Sequence, residues 1–168
     1  TLHGSSAASD VYKRQAQVAN KCNLEISDIK KMTIWGNHSP TMYPDLDNAE
    51  IKGESASGWI NDQNWIESDF LRIVQQRGKA IIDARGASSA TSAANAAIDT
   101  VKATLSETPA DDWFSAAVLS DGSYNVPEGL IFGFPLKADA NGKVSIVQGL
   151  PISDYACLLY TSDAADDP

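Results

Sequence analysis

The amino-acid sequence predicts an α+β domain in which helices pack on an antiparallel sheet. Apolar residues recur at spacings of three and four over residues 62–85 and 90–105, which is the period of amphipathic helices. Apolar, β-branched segments at 114–119, 130–136 and 144–148 predict three strands. Turn residues separate these strands at Asp121-Gly122 and Asn141-Gly142, and the second pair is a strong hairpin signal. Helices followed by hairpin-connected strands favour α+β over an alternating α/β order.

The region before residue 62 predicts shorter elements. Residues 16–20 have the pattern of the last turns of a helix, and residues 31–35 and 49–52 have the apolar, β-branched content of short strands. Residues 54–58 are small and polar, which predicts a loop. Near the other end, Ser153-Asp154 has the residue types that begin a helix.

The helix predicted at 90–105 carries a stripe of small and apolar side chains: Ala90, Ala93, Ala94, Ala97, Ile98 and Val101. Small residues let another backbone, or a flat ligand, approach closely. From the pattern alone, tight packing between helices is the favoured interpretation.

The composition excludes several function classes. The formal net charge of −9 makes sequence-independent nucleic-acid binding improbable on physical grounds, because such binding needs Lys and Arg to neutralise phosphates. The sequence also has no basic cluster for anionic membranes and no apolar run long enough to span a bilayer. The two cysteines, Cys22 and Cys157, do not have the spacing of a metal site, and no metal is expected.

His38 is the candidate with the clearest chemistry. It follows the predicted strand at 31–35, where a rigid element ends and a loop rich in Gly, Asn, Ser and Pro begins. Catalytic side chains favour such positions, because the strand fixes them and the loop leaves them accessible. A histidine can also take up and return a proton near neutral pH.

Three separated segments, at 35–46, 76–98 and 124–130, resemble malate dehydrogenases of the NAD-dependent group that includes cytosolic-type and many bacterial enzymes. They contain Trp35-Gly36-Asn37-His38-Ser39 with Tyr43-Pro44-Asp45, then Gly86-Ala87-Ser88-Ser89, then Tyr124-Asn125-Val126-Pro127. Their order is that of the family. The resemblance implies the family's C-terminal, substrate-side domain, over residues 16–156.

Both ends of the chain resemble something other than this domain. Residues 5–15 match one translation of a transposase-type sequencing adapter, and residues 157–166 match the same adapter read from the opposite strand. We therefore expect residues 1–15 and 157–168 to lie outside the domain. No Gly-x-Gly-x-x-Gly follows a strand, so we expect the Rossmann coenzyme domain to be missing from this sequence.

The resemblance implies reversible oxidation of (S)-malate to oxaloacetate with NAD, a step of the tricarboxylic acid cycle. His38 would be the proton acceptor and donor. Gly78 and Ser89 match positions near the substrate, and Ala93 matches a position near the nicotinamide. Asn37 would either face the cofactor or support a residue that does. Each of these residues also has a purely structural interpretation: a helix kink for Gly78, a helix cap for Ser89 and core packing for Ala93.

The family also has an Asp that orients the histidine and, three residues later, an Arg that binds the substrate carboxylate. By spacing these positions fall on Asp10 and Lys13, since Asp10 lies 28 residues before His38. Both lie in the adapter-like segment, and an ammonium does not reproduce the two-point grip of a guanidinium. Neither residue is assigned a role from the sequence.

Further expectations follow from the resemblance. The full-length enzyme would be a cytoplasmic homodimer acting on malate and oxaloacetate, without nucleic-acid or membrane partners, and this chain alone would be inactive. A lactate-type 2-hydroxy acid dehydrogenase is the nearest alternative. A non-catalytic interaction domain is the alternative from a different class.

Overall fold

The computed structural model describes residues 5–36, 42–73, 83, 86, 90–153 and 156–157 of the chain. Its helices are α1 (Ser5–Cys22), α2 (Ala56–Ile60), the π-helical turn α3 (Trp65–Phe70) and α4 (Ala90–Leu105). Its strands are β1 (Ile29–Lys30), β2 (Thr33–Trp35), β3 (Tyr43–Asp45), β4 (Glu50–Ile51), β5 (Glu54–Ser55), β6 (Phe114–Leu119), β7 (Ile131–Ala138) and β8 (Val144–Ile146).

Within these described ranges, every strand pairing is antiparallel. β1, β4 and β5 form one small sheet in the order β1-β4-β5, and β2 pairs with β3 in a hairpin. The larger sheet has the order β6-β7-β8. The predicted α+β class with helices on antiparallel sheets is therefore confirmed.

The predicted strands of the larger sheet are confirmed to within a few residues. β6 has the predicted bounds, and β7 begins one residue later than expected and continues to Ala138. The turn between β7 and β8 is closed by a hydrogen bond from the Asp139 amide to the Lys143 carbonyl, at 3.0 Å. Gly142 in this turn has a φ of +76°, a conformation that glycine adopts without steric cost.

α4 has the predicted bounds. The prediction of which face of α4 is buried is wrong. The described part of the small-residue stripe is exposed at Ala94, and Ile98 and Val101 are 53% and 50% exposed. The buried face carries Ala96, Thr100 and Thr104 instead. Burial of Thr100 is possible because its hydroxyl donates to the Ala96 carbonyl one turn earlier, at 2.9 Å, so that no polar group is left unpaired.

The segment at 54–58 is not the predicted loop. It forms β5 and the first turn of α2, because the Ser55 hydroxyl accepts a hydrogen bond from the Gly58 amide at 3.1 Å and caps the helix. Ser153 acts in the same way, accepting from the Ala156 amide at 3.2 Å, as the predicted helix start requires.

The other helical predictions are confirmed where the structure describes them. The predicted turns at 16–20 belong to α1, which begins at Ser5. Of the helix predicted at 62–85, residues 63–73 are helical, and residues 74–82 and 84–85 lie outside the described ranges. None of the described helices is both long enough and apolar enough to cross a membrane.

The buried apolar side chains among the described residues form two hydrophobic cores. The first lies between α1, the β1-β4-β5 sheet and α3, and its buried members include Val18, Met32, Ile51 and Phe70. The second lies on the β6-β7-β8 sheet: Trp35, Ala116, Val126, Phe132, Phe134 and Leu136. Trp35 of β2 packs in this second core and so connects the β2–β3 hairpin to it.

The hairpin is joined to the larger sheet at Gly133. The Gly133 amide donates to the Gly36 carbonyl at 2.9 Å, in an isolated antiparallel bridge. A Cβ atom built on Gly133 would lie 2.4 Å from the Ile34 carbonyl oxygen and 2.8 Å from that of Gly36. Backbone atoms cannot move aside as a flexible side chain can, so only glycine permits this approach.

We therefore expect Gly133→Ala to lower the free energy of unfolding by about 3 kcal/mol, at the upper end of the usual cost of overpacking. Urea denaturation followed by circular dichroism measures this change. Ser145→Ala, on the exposed face of the neighbouring strand β8, is the control and should change stability by less than about 0.5 kcal/mol. Equal stabilities of the two variants would contradict the close approach.

Candidate functional site

The β2–β3 hairpin brackets the segment that contains His38. Thr33 pairs with Asp45, and Trp35 pairs with Tyr43, so that residues 36–42 form the connection between the strands. Gly36 and Met42, at the two ends of this connection, are both buried. The predicted site residues Asn37 and His38 lie inside it, outside the described residues.

Asp45 and Trp35 are linked across this hairpin. The indole Nε1 of Trp35 donates to Oδ2 of Asp45 at 2.9 Å, and Trp35 and Asp45 are 0% and 3% exposed. Oδ2 also accepts from the side-chain amide of Asn48 at 2.7 Å, and Oδ1 accepts from the backbone amides of Asp47 and Asn48 at 3.1 and 2.9 Å. The carboxylate thus receives four hydrogen bonds from neutral donors.

The environment of Asp45 has a clear electrostatic consequence. Burial raises the pKa of the Asp45 carboxyl above its ordinary value, because removal from water penalises the charged form. The hydrogen bonds from Trp35 and Asn48 act in the opposite direction but are the smaller influence. Asp45 is therefore a carboxyl group for which burial outweighs its hydrogen bonds.

The third family-like segment meets the first one at Trp35. The Tyr124 ring packs edge-on against Trp35 with ring centroids 4.8 Å apart, an arrangement that aromatic pairs favour. Tyr124 has a φ of +56° in the short turn Ser123–Asn125, and its hydroxyl donates to the Val147 carbonyl at 2.7 Å. Burial raises the pKa of this hydroxyl.

Helix α1 lies beside the other end of the hairpin connection. Nη2 of Arg14 contacts the Met42 sulfur at 2.8 Å, while Nη1 lies 3.2 Å from Oδ1 of Asp10. Asp10 is also 3.7 Å from the Lys13 ammonium. Asp10 and Lys13 had no role assigned from the sequence. The structure places Asp10 and Arg14 in a buried charge cluster next to this connection, with the half-buried Lys13 at its edge.

Arg14 is the member of that cluster whose burial has the highest free-energy cost. Its side chain is 1% exposed, and its Nε has no hydrogen-bond partner among the described residues. Burial lowers the pKa of the guanidinium, and the nearby Asp10 partly offsets this effect. A buried charge with an unsatisfied donor reduces stability rather than adding to it.

The remaining predicted site residues are not brought together by the described part of the structure. Gly78 and Ser89 lie outside the described residues. The backbone of Ala93 lies in the first turn of α4, and nothing is described of its side chain. Among the residues that the structure describes, no group of three or more His, Cys, Asp or Glu side chains is arranged to hold a metal ion.

Asp45 and Trp35 were not predicted from the sequence as members of the site. Both were in the quoted segment 35–46, but residue type and spacing do not reveal a hydrogen bond between side chains ten positions apart. An Asp directly after a Tyr-Pro pair at a strand end was the available signal.

The fold agrees with comparisons to known proteins. The family model of the lactate/malate dehydrogenase α/β C-terminal domain matches residues 9–157. This chain therefore belongs to the lactate/malate dehydrogenase family and contains its C-terminal domain. The match begins before Asp10, whereas the sequence analysis placed the domain boundary at residue 16, and that boundary stays a prediction.

Solved structures of dehydrogenases resemble the chain closely. A malate dehydrogenase from Naegleria fowleri is 40% identical, with a TM-score of 0.85, over 95% of this chain and 48% of its own. A lactate dehydrogenase from Trichomonas vaginalis, in complex with NADH and oxamate, is 27% identical with a TM-score of 0.85, over 94% of this chain and 49% of its own. A malate dehydrogenase from Plasmodium falciparum is 25% identical with a TM-score of 0.78, over 94% and 50%. The chain thus spans about half the length of these relatives.

The buried Asp45 carboxyl predicts a particular pH dependence of stability. Because its pKa is raised in the folded chain, folded protein keeps this proton to a higher pH than unfolded protein does. The stabilising contribution is complete below the unfolded pKa of about 3.9 and is lost as the pH rises through the folded value.

We expect the stability difference between the unsubstituted chain and Asp45→Asn to decrease as the pH is raised from about 4, by at most about 1.4 kcal/mol per pH unit for one proton. Urea denaturation at a series of pH values measures it. Asn48→Ala keeps the carboxyl group and should keep the decrease with pH, extended to higher pH because a hydrogen bond that lowers the pKa of Asp45 is lost. A difference that grows with pH would contradict the burial effect.

Proposed function

We propose that this chain is the substrate-side domain of an NAD-dependent malate dehydrogenase, with His38 as the group that exchanges a proton with the substrate hydroxyl. The observation that carries the proposal is the 40% identity to a malate dehydrogenase over 95% of this chain. The hairpin geometry supports it, since β2 and β3 hold both ends of the short connection that includes His38.

In this proposal a neutral His38 imidazole accepts the C2 hydroxyl proton of malate and returns it when oxaloacetate is reduced. The resulting imidazolium favours binding of the dianionic keto acid. NAD, when bound, supplies the hydride acceptor, and the protein supplies orientation and electrostatics. Ala93 is proposed to lie near the nicotinamide, and Asn37 to face the cofactor or support a residue that does. Gly78 and Ser89 are proposed to lie near the substrate.

No Gly-x-Gly-x-x-Gly follows a strand in this sequence, so we assign the binding of NAD to a coenzyme domain that is not part of it. We accordingly propose that the chain by itself neither binds NAD well nor turns over. A homodimer and a cytoplasmic location for the complete enzyme stay predictions.

A lactate-type dehydrogenase is the second candidate function. The similarity to the lactate dehydrogenase of Trichomonas vaginalis favours it, with 27% identity and the same TM-score of 0.85 as the malate dehydrogenase of Naegleria fowleri. The higher identity to the malate enzyme favours malate. Recovery of the DNA upstream of residue 16 and kinetics of the complete enzyme with oxaloacetate and pyruvate would decide between the two substrates.

The role of His38 can be tested in a fusion. Residues 16–156 of this chain would replace the corresponding half of the Naegleria fowleri malate dehydrogenase, which would supply the coenzyme domain and all residues before position 16. We expect oxidation of NADH with oxaloacetate by the fusion and none by this chain alone. We expect His38→Gln to lower kcat by a factor of about 10²–10⁴, the usual contribution of a general acid–base.

Ser145→Ala in the same fusion is the matched control, because this exposed serine on β8 lies away from the hairpin. Its kcat should equal that of the unsubstituted fusion. A His38→Gln fusion that keeps the full rate would overturn the catalytic assignment.

A further inference from the structure

The Asp45 carboxylate has no counter-ion among the described residues, although it is almost completely buried. Its four donors are one indole N–H, one side-chain amide and two backbone amides. Burial of a carboxylate is unfavourable, and a neutral acceptor of similar size cannot accept four hydrogen bonds. The free-energy cost of burying this carboxylate is therefore high for a contact that only stabilises a hairpin. We infer that the orientation which it fixes serves a function.

The bond from Trp35 to Asp45 acts at the base of the connection at 36–42. Trp35 is the residue directly before Gly36, and Asp45 lies in the strand that begins directly after Met42. The two residues are not opposite each other in the strand register, since Asp45 is paired with Thr33 and Trp35 with Tyr43. The side-chain bond therefore runs diagonally across the hairpin, and it fixes the relative position of the two strands in addition to their backbone pairing.

The same base is held at two further points. The Gly36 carbonyl accepts from the Gly133 amide of the larger sheet, and the Trp35 ring packs against the Tyr124 ring. Asn48, which donates to Asp45, also donates to the Pro151 carbonyl at 2.8 Å. The Trp35 ring is thus held by Asp45 and by Tyr124, and the peptide that leads into Asn37 and His38 is held by Gly133.

We propose that Asp45 is a positioning residue, which through its hydrogen bond to the Trp35 indole sets the placement of the His38 imidazole. The inference rests on the proposed function of His38 and adds a residue that acts on it indirectly. The proposal gives Asp45 no contact with the substrate. Its effect passes through Trp35 to the base of the hairpin connection.

The test reads the His38 ring directly. His38 and His3 are the histidines of the sequence, so a chain labelled with ¹⁵N-histidine in a His3→Gln background gives His38 signals alone. Trp35→Phe removes the Nε1 donor and keeps an aromatic ring. We expect it to move the His38 ring shifts from their original values towards those of an unstructured histidine.

Two further variants separate positioning from stability. Ile51→Val removes one methylene from the first core and costs about 0.5–1.5 kcal/mol, and we expect it to leave the His38 shifts unchanged. Asn48→Ala removes one donor to Asp45 at a half-buried position, and we expect a smaller shift in the direction of that of Trp35→Phe. If Trp35→Phe does not fold, Asn48→Ala decides the matter by itself.

Unchanged His38 shifts in every folded variant of Trp35 and Asn48 would overturn the proposal, and so would an equal displacement by Ile51→Val. These measurements do not depend on turnover. The fusion experiment can therefore disprove a catalytic role of His38 while the shift measurements support positioning by Asp45. The shift measurements can likewise disprove positioning by Asp45 while the fusion experiment supports a catalytic role.

Discussion

Trp35 links three parts of this domain that are distant in sequence. Its backbone pairs with Tyr43 in the β2–β3 hairpin, its indole N–H donates to Asp45, and its ring packs against Tyr124 and Phe134 in the core of the larger sheet. A side chain with 0% exposure that makes all of these contacts leaves the hairpin little freedom to rotate on the sheet. The position of Trp35 and Gly36, where the hairpin connection begins, depends on this packing.

The close approach at Gly133 is the second constraint on the same region. Because the hairpin backbone lies directly on β7, the hairpin and the larger sheet behave as one packed unit rather than as two sheets joined by side chains. A short loop held at both ends by rigid strands is a suitable support for a proton-transfer group, since catalysis loses efficiency when such a group is displaced by about 1 Å.

The charge cluster of α1 differs in character from the Asp45 network. Asp45 has its lone pairs satisfied by neutral donors, whereas Arg14 keeps an unsatisfied Nε in a buried position and contacts a methionine sulfur. The first arrangement has the features of an evolved hydrogen-bond network, in which every buried polar group has a partner. The second leaves one guanidinium N–H of a buried arginine without a partner, and the ion pair with Asp10 offsets the cost of burial only in part.

Local physical chemistry in the sequence determined the α+β class, the bounds of α4 and β6, the Asn141-Gly142 turn and the family-like segment around His38. Periodicity, turn residues and short motifs are properties of neighbouring residues, so they can be read before folding. The buried face of α4 and the capped turn at Ser55 were not determined in this way, because neighbouring helices and a single side-chain hydrogen bond outweighed local pattern. Only the tertiary structure placed Trp35, Asp45, Tyr124 and Gly133 around one hairpin, since their contacts join residues up to about one hundred positions apart, and such contacts form only when the chain has folded.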